Sequence, residues 1–383
     1  MDYFLSDEQR MIVDLARQIA DDKIIPQRAE LDEREEFPAE ILAAMAQADL
    51  FGLYIPEQYG GLGGGPFEVV LCLEQLGRGC VAVATSYAAS ALGAYPILLA
   101  GSDDLKARYL PDVANGARRS AFALTEANAG SDASAIQTTA VQDGDSWVLN
   151  GTKQWITNGG EADIYTVVAI TDRNKGPRGA SMFVVEASDP GFSCGKKEKK
   201  MGIRASSTRE LIMKDCRVPR DRMVGRQGSG FITVMKTLDL SRPGIAALGV
   251  GLAQAALDEA VSYAKQRVQF GKPIIAFQAM QHMLADMATE LEAARALVYA
   301  AAKHISAHPE SMSKPSSMCK VFATDMAMKV TTDAVQVLGG YGYMREYPVE
   351  KMMRDAKILQ IYEGTNQIQR NVIGQELNKE YSR

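Results

Sequence analysis

Residues that commonly bind metals or act as nucleophiles are few in this 383-residue sequence. It has three histidines, His282, His304 and His308, and five cysteines, Cys72, Cys80, Cys194, Cys216 and Cys319. No CxxC pair or Cys/His cluster reads as a zinc site, so no metal is expected. The histidines lie in no context that suggests a hydrolytic triad. The odd cysteine count, with an acidic "MDYFLSDEQR" start that lacks an apolar signal core, fits reduced thiols in a cytoplasmic protein. No GxGxxG follows a strand pattern. "GVGLAQ" (Gly249–Gln254) falls inside a helical pattern, where glycines allow close helix packing, so a Rossmann site is not supported. "YGGLGGGP" (Tyr59–Pro66) lacks the GK[ST] ending of a phosphate loop and reads as a hinge or turn. No long basic run exists: net charge is −5 and "KKEKK" (Lys196–Lys200) is a short solvated face, which argues against nucleic acid as the main partner. Charge is also absent from Gly79–Ser102. That run is long enough to span a membrane, but it is rich in Ala, Ser and Gly and carries Pro96. It reads as a buried helix, a turn and a second helix start, with no membrane span.

What is present divides by period. Residues 1–119 are helical: "SDEQ" (Ser6–Gln9) is a capping box, and Ile12, Leu15, Ala16 and Ile19 keep one face apolar. Pro38 opens another helix. Residues 120–228 change to strands. "TTAVQDGDSWVLNG" places two β-rich runs around Asp143-Gly144, a hairpin signal, and "DIYTVVAI", "ASMFVVEA" and "RELIMKDCRV" follow. No helical crossovers separate these strands, so an antiparallel sandwich or barrel is expected and a doubly wound parallel sheet is excluded. Residues 229–383 return to helix. Met280, Leu284, Met287, Leu291, Ala294, Val298, Ala301 and Ile305 form one apolar seam, which predicts bundle packing. Pro243 is expected to kink or restart the helix before it. The fold class is α+β.

Several strings can carry chemistry. "FALTEANAGSD" (Phe122–Asp132) is a loop of small and hydroxyl residues that presents backbone N–H groups to an anion or serves as a plain connector. In "NGTKQWITNGG" (Asn150–Gly160), Trp155 covers a flat ligand or fills the sandwich core. In "QRVQFGK" (Gln266–Lys272), Arg267 binds phosphate or is a solvated loop charge. With "QVLGGYGY", "YPVEKMMRDAK" and "IYEGTNQIQR" (Ile361–Arg370), these strings, in this order, closely resemble the acyl-CoA dehydrogenase family of flavoproteins over essentially the whole chain. The resemblance implies FAD, an acyl-CoA substrate, a C-terminal four-helix bundle after the N-terminal helices and middle β domain, and a homotetramer or dimer. It implies that Phe122 to Ser131, including Leu124, Thr125 and Gly130, hold the flavin, with Ser131 also near the thioester or CoA. Trp155, Ile156 and Thr157 are implied to pack on the isoalloxazine. Arg267, Phe270, Gln278 and the stretch Gln336 to Gly340 (with Val337 and Gly339) are implied to meet the FAD of a neighbouring subunit, and Thr365 and Gln367 to touch FAD. Asp239 to Arg242 are implied to line the CoA channel, with Tyr362 and Gly364 at the substrate. Ala127 departs from the family's usual proline, which concerns only loop stiffness.

Glu363 lies between Tyr362 and Gly364. Dehydrogenating a thioester requires removal of a weakly acidic α-proton while hydride leaves Cβ, and a poorly solvated carboxylate suits that task. Gly364 lets the backbone approach the ligand, and a backbone N–H nearby can stabilise an enolate-like oxygen. In the resembled family the acid of this motif is the base. Some members place it instead on the helix bearing Asp239–Arg242, but the position before Arg242 is Ser241, which cannot serve. The expected reaction forms a trans-2-enoyl-CoA and passes electrons to an electron-transferring flavoprotein. An acyl-CoA oxidase, an enoyl-CoA reductase and a non-catalytic flavin- or CoA-binding scaffold are the alternatives. The resemblance puts the uncharged Gly79–Ser102 helix at the acyl end, with Ala84, Ala88, Ala89 and Ala91 small and Tyr87 and Tyr95 bulky. An uncharged acyl group is therefore expected.

Overall fold

A computed structural model describes residues 1 and 3–382. Six helices come first: α1 Asp7–Ile19, α2 Arg28–Arg34, α3 Ala39–Gln47, α4 Pro66–Gly79, α5 Val81–Ala100 and α6 Asp103–Ala114. The capping box opens α1: Gln9 N–H donates to Ser6 Oγ and Ser6 N–H to Gln9 Oε1. Ala16 and Ile19 are buried, whereas Leu15 of the expected apolar face is exposed. In α5 the expected turn at Pro96 is absent and the helix runs through it. Proline removes one intrahelical hydrogen bond, but α5 is enclosed on nearly all sides, and tertiary packing keeps it continuous through the defect. Its apolar length fits a membrane span, yet 83% of that window is buried inside the protein.

Eight strands follow: β1 Ser120–Ala123, β2 Thr139–Asp143, β3 Ser146–Thr157, β4 Ile164–Ile170, β5 Ala180–Glu186, β6 Phe192–Lys197, β7 Thr208–Pro219 and β8 Met223–Val224. The order is β6-β7-β3-β2-β4-β5-β8, with β1 also on β4. The β2–β3 hairpin turns at Gly144, which has positive φ. The sheet is mixed rather than wholly antiparallel: β1 and β2 both pair with β4 in parallel. The chain reaches β4 through the β2–β3 hairpin, not a helix, so the parallel pairing arises without a doubly wound topology. All of β4 is buried. Tyr165, Val167 and Ala169 face the β core with Trp147 and Phe183, while Ile164, Val168 and Ile170 face the helices.

The C-terminal part comprises α7 Gly230–Gln266, a small hairpin of β9 Val268–Gln269 and β10 Lys272–Pro273, α8 Gln278–Ala307, α9 Ser313–Leu338, α10 Val349–Leu359 and α11 Asn366–Tyr381. The α8 seam is buried from Leu284 to Ile305 as its spacing predicts. Pro243 neither stops nor restarts α7, which is continuous and largely buried around it. The glycines of α7 let neighbours come close. A Cβ on Gly251 would stand 2.0 Å from the Glu74 carbonyl oxygen of α4, and one on Gly249 3.1 Å from the Ala323 carbonyl oxygen of α9. One apolar core therefore joins the N-terminal and C-terminal helices and one face of the sheet.

Candidate active site

A cavity of about 360 Å³ opens where α5, the loop after β1, the end of β3, α7 and the Tyr362–Gly364 turn meet. Glu363 and Gly364 both have positive φ, +52° and +90°. Such a turn directs its carbonyls into the protein, where they must be paired. Arg242 Nε (3.3 Å) and Gln369 Nε2 (3.1 Å) donate to the Glu363 carbonyl, and Lys320 Nζ and Gln369 Nε2 (each 2.9 Å) to that of Gly364. The backbone is thus fixed from α7, α9 and α11.

The Glu363 side chain keeps part of its surface on the cavity, while its carboxyl is enclosed. Ser241 Oγ donates to Oε2 at 2.5 Å. Burial raises the carboxyl above its ordinary pKa, opposed by the Ser241 hydrogen bond and the positive charges of Arg242 and Lys320. Arg242 is itself paired with Asp239 (2.7 Å), which accepts from Ser313 as well. Asp239 therefore stands behind Arg242 and does not line this cavity. Tyr362 lines the cavity, its hydroxyl 3.4 Å from Thr85 Oγ1.

The opposite wall carries Phe122, Leu124, Thr125, Gly130 and Ser131 with Trp155, Ile156 and Thr157. The β3–β7 register slips by one residue between Lys153 and Ile156. That bulge, with Trp155 at φ +56°, turns the indole out of the sheet. Trp155 is 59% exposed, so it is a cavity wall, and Trp147 fills the β core in its place. Gly130 has open space where a Cβ would stand. A broad exposed ring beside an accessible backbone suits a flat, polar-tailed ligand such as FAD.

Two charged residues inside the quoted motifs, neither of them singled out by its motif, hold this wall. Lys153, fully buried, donates to the Leu124 carbonyl (2.9 Å) and to Glu126 (2.7 Å). Glu126 also accepts from the Gln137 and Thr138 N–H groups. Burial pushes Lys153 down to about 8. Burial also raises Glu126, but Lys153 and the other donors outweigh it and hold this carboxyl below its ordinary range. Both residues lie within the quoted motifs, and the signal was their opposite charge.

The remaining expected site residues lie elsewhere. Arg267, Val337, Gly339 and Gly340 line a second cavity of about 520 Å³ at the β9–β10 hairpin, where the Arg267 guanidinium lies 5.3 Å from the Tyr341 ring. Phe270 projects from the hairpin tip, 94% exposed, and Gln278, at the start of α8, and Gln336, near the end of α9, are exposed. None of these lines the Glu363 cavity. Thr365 caps α11 by accepting from Ile368 N–H, and Gln367 is exposed beside it. A cleft of about 570 Å³ by Tyr3, Arg17 and Arg295 shares no lining residue with either site.

Family models for the N-terminal, middle and C-terminal domains of acyl-CoA dehydrogenase match residues 6–117, 121–216 and 228–378. The chain belongs to the acyl-CoA dehydrogenase family. Members are FAD-dependent flavoproteins, and the activity is that of an acyl-CoA dehydrogenase. The structure of butyryl-CoA dehydrogenase from Megasphaera elsdenii superposes with a TM-score of 0.96 at 44% identity, covering 98% of this chain and 100% of the other. A chain from work on the electron-transferring flavoprotein of Acidaminococcus fermentans gives 0.96 at 46% identity, covering 98% and 99%. The acryloyl-CoA reductase (NADH) of Anaerotignum propionicum is 45% identical over 99% of this chain and 96% of its own.

In this acyl-CoA dehydrogenase, Lys153→Met leaves the Glu126 carboxylate buried without its partner. Removing one member of a buried ion pair costs about 3–5 kcal/mol. The expected outcome is a stability loss of that order, read from chemical denaturation, together with weaker FAD retention during gel filtration.

Proposed function

We propose that the enzyme converts an acyl-CoA with an uncharged acyl group to the trans-2-enoyl-CoA, with Glu363 as the base that removes the α-proton. The enclosed, destabilised carboxylate at the cavity wall carries this reading. Bound FAD supplies the acceptor for the hydride that leaves Cβ. Ser241 and Arg242 orient the carboxylate, and Tyr362 and the apolar faces of α5 and α7 exclude water from it. Among the described residues the Glu363 N–H has no protein acceptor, which leaves it free to bind the thioester oxygen as negative charge develops there. Phe122–Ser131 and Trp155–Thr157 are the residues proposed to hold the flavin. Arg267, Phe270, Gln278 and Gln336–Gly340 are proposed to reach the FAD of a neighbouring subunit in a homotetramer or dimer, supported by the place of Arg267, Val337, Gly339 and Gly340 on a cavity apart from that of Glu363. An electron-transferring flavoprotein is the proposed electron acceptor, supported by the Acidaminococcus neighbour. Free cysteine thiols support the cytoplasm as its compartment. The reductase relative supports a second reading, in which Glu363 returns the α-proton in the opposite direction.

Glu363→Gln keeps the shape and removes the basicity. Turnover is expected to fall roughly 10²–10⁴-fold with FAD content unchanged. Ser241→Ala tests the same carboxyl from the other side. The base acts only when deprotonated, so activity falls as pH drops through its raised pKa. Losing a hydrogen bond to the charged form, worth roughly 1.5–3 kcal/mol, is expected to move the acid limb of kcat/KM up by about 1–2 pH units. Unchanged turnover in Glu363→Gln would place the base elsewhere.

The acyl end of the cavity is lined by Thr85, Ala88, Ala89 and Leu92. Tyr87 points away, to the Leu50 carbonyl, and neither it nor Tyr95 lines the cavity. Arg242 is the one cation among the lining residues, and Asp239 and the Glu363 carbonyl engage it. A carboxylate on the acyl tail would be buried without a partner, at a cost of several kcal/mol. Butyryl-, hexanoyl- and isobutyryl-CoA are therefore expected to exceed glutaryl-CoA in kcat/KM; faster turnover of glutaryl-CoA would refute the point.

A further inference from the structure

Lys320 has no exposed surface, although lysine is among the residues least often buried. Its ammonium donates to the Gly364 carbonyl and, at 2.8 Å, to Asn366 Oδ1, and among the described residues it forms no ion pair. Burial brings it down to about 7, with Glu363 and Asp325 opposing that shift and Arg242 adding to it. A buried cation without a paired carboxylate is costly, so its retention here calls for a use.

The surrounding geometry supplies one. Asn366 is the first residue of α11. Its amide donates to Thr324 Oγ1 (2.9 Å) and Asp325 Oδ1 (2.7 Å), both on α9. Lys320 and Thr324 stand one helical turn apart on α9, so a single face of that helix grips Asn366 and Gly364 together. Arg242 and Gln369 hold the other side of the turn. The charge of Arg242 is matched by Asp239, whereas that of Lys320 is not.

We propose that Lys320 is a positioning residue for the reaction: acting through the Gly364 carbonyl and Asn366, it fixes the turn that aims Glu363. The proposal rests on Glu363 being the base. The groups facing that carboxyl are Ser241 and Arg242 from α7, Lys320 from α9, Tyr95 from α5 and the adjacent Tyr362. Among the described residues, removing Lys320 leaves Arg242 as the one cation acting on that carboxyl.

The test compares Lys320→Met, Asn366→Ala and Glu363→Gln holoenzymes with the best acyl-CoA substrate. Misaiming a catalytic group by about 1 Å lowers rates by roughly 10²-fold. Lys320→Met is expected to lose roughly 10- to 100-fold in kcat, with FAD content unchanged and the acid limb of kcat moved to higher pH. Asn366→Ala is expected to lower kcat without moving that limb, since it removes an aligning partner and no charge. Wild-type kcat and an unmoved acid limb in Lys320→Met overturn the proposal even if the melting temperature falls. If that variant does not fold, wild-type kcat in Asn366→Ala overturns it. Retained turnover in Glu363→Gln would instead overturn the assignment of the base.

Discussion

The site depends on two consecutive residues, Glu363 and Gly364, held at positive φ with their carbonyls turned inward. A non-glycine residue in that conformation costs of order 1–3 kcal/mol and persists only where surroundings over-determine it. Here the surroundings do. Arg242, Lys320 and Gln369, from three helices, satisfy both carbonyls, while Ser241 takes the carboxylate itself. Leaving either carbonyl unpaired would cost roughly 1–3 kcal/mol, so the same bonds that relieve the strain also set the direction of the side chain.

The larger architecture serves this turn. The α7 glycines admit α4 and α9 at close range, which brings Ser241, Arg242 and Lys320 to one place. Burial then acts in two opposite ways. It destabilises the Glu363 carboxylate, raising its proton affinity, and it strengthens the hydrogen bonds that keep the carboxylate oriented. Across the cavity, the buried Lys153–Glu126 pair does comparable work for the β1 loop, and a bulge turns Trp155 toward the space between the two walls.

Much of this was legible in the sequence. The period-four seam of α8 and the Asp143-Gly144 hairpin follow from local pattern, and the motif around Glu363 carries its own resemblance. What escaped the sequence was pairing across distance. Lys153 and Glu126 are 27 residues apart, and Lys320 and Gly364 are 44 apart. Ser241 cannot act as a base, yet it donates to the Glu363 carboxylate. Pro96 signals a turn and Pro243 a kink or restart, yet packing keeps both helices continuous, because both are enclosed by other elements. The parallel pairing of β1 with β4 was hidden because strand direction is decided by topology, not by alternation.

The most direct test of the account mixes FAD-loaded enzyme with a saturated acyl-CoA in the absence of oxygen and follows the visible flavin absorbance. The wild-type protein should bleach rapidly. Glu363→Gln should bind the same acyl-CoA and stay oxidised over the same period. Bleaching of Glu363→Gln at the wild-type rate would contradict the claim that this carboxylate removes the α-proton.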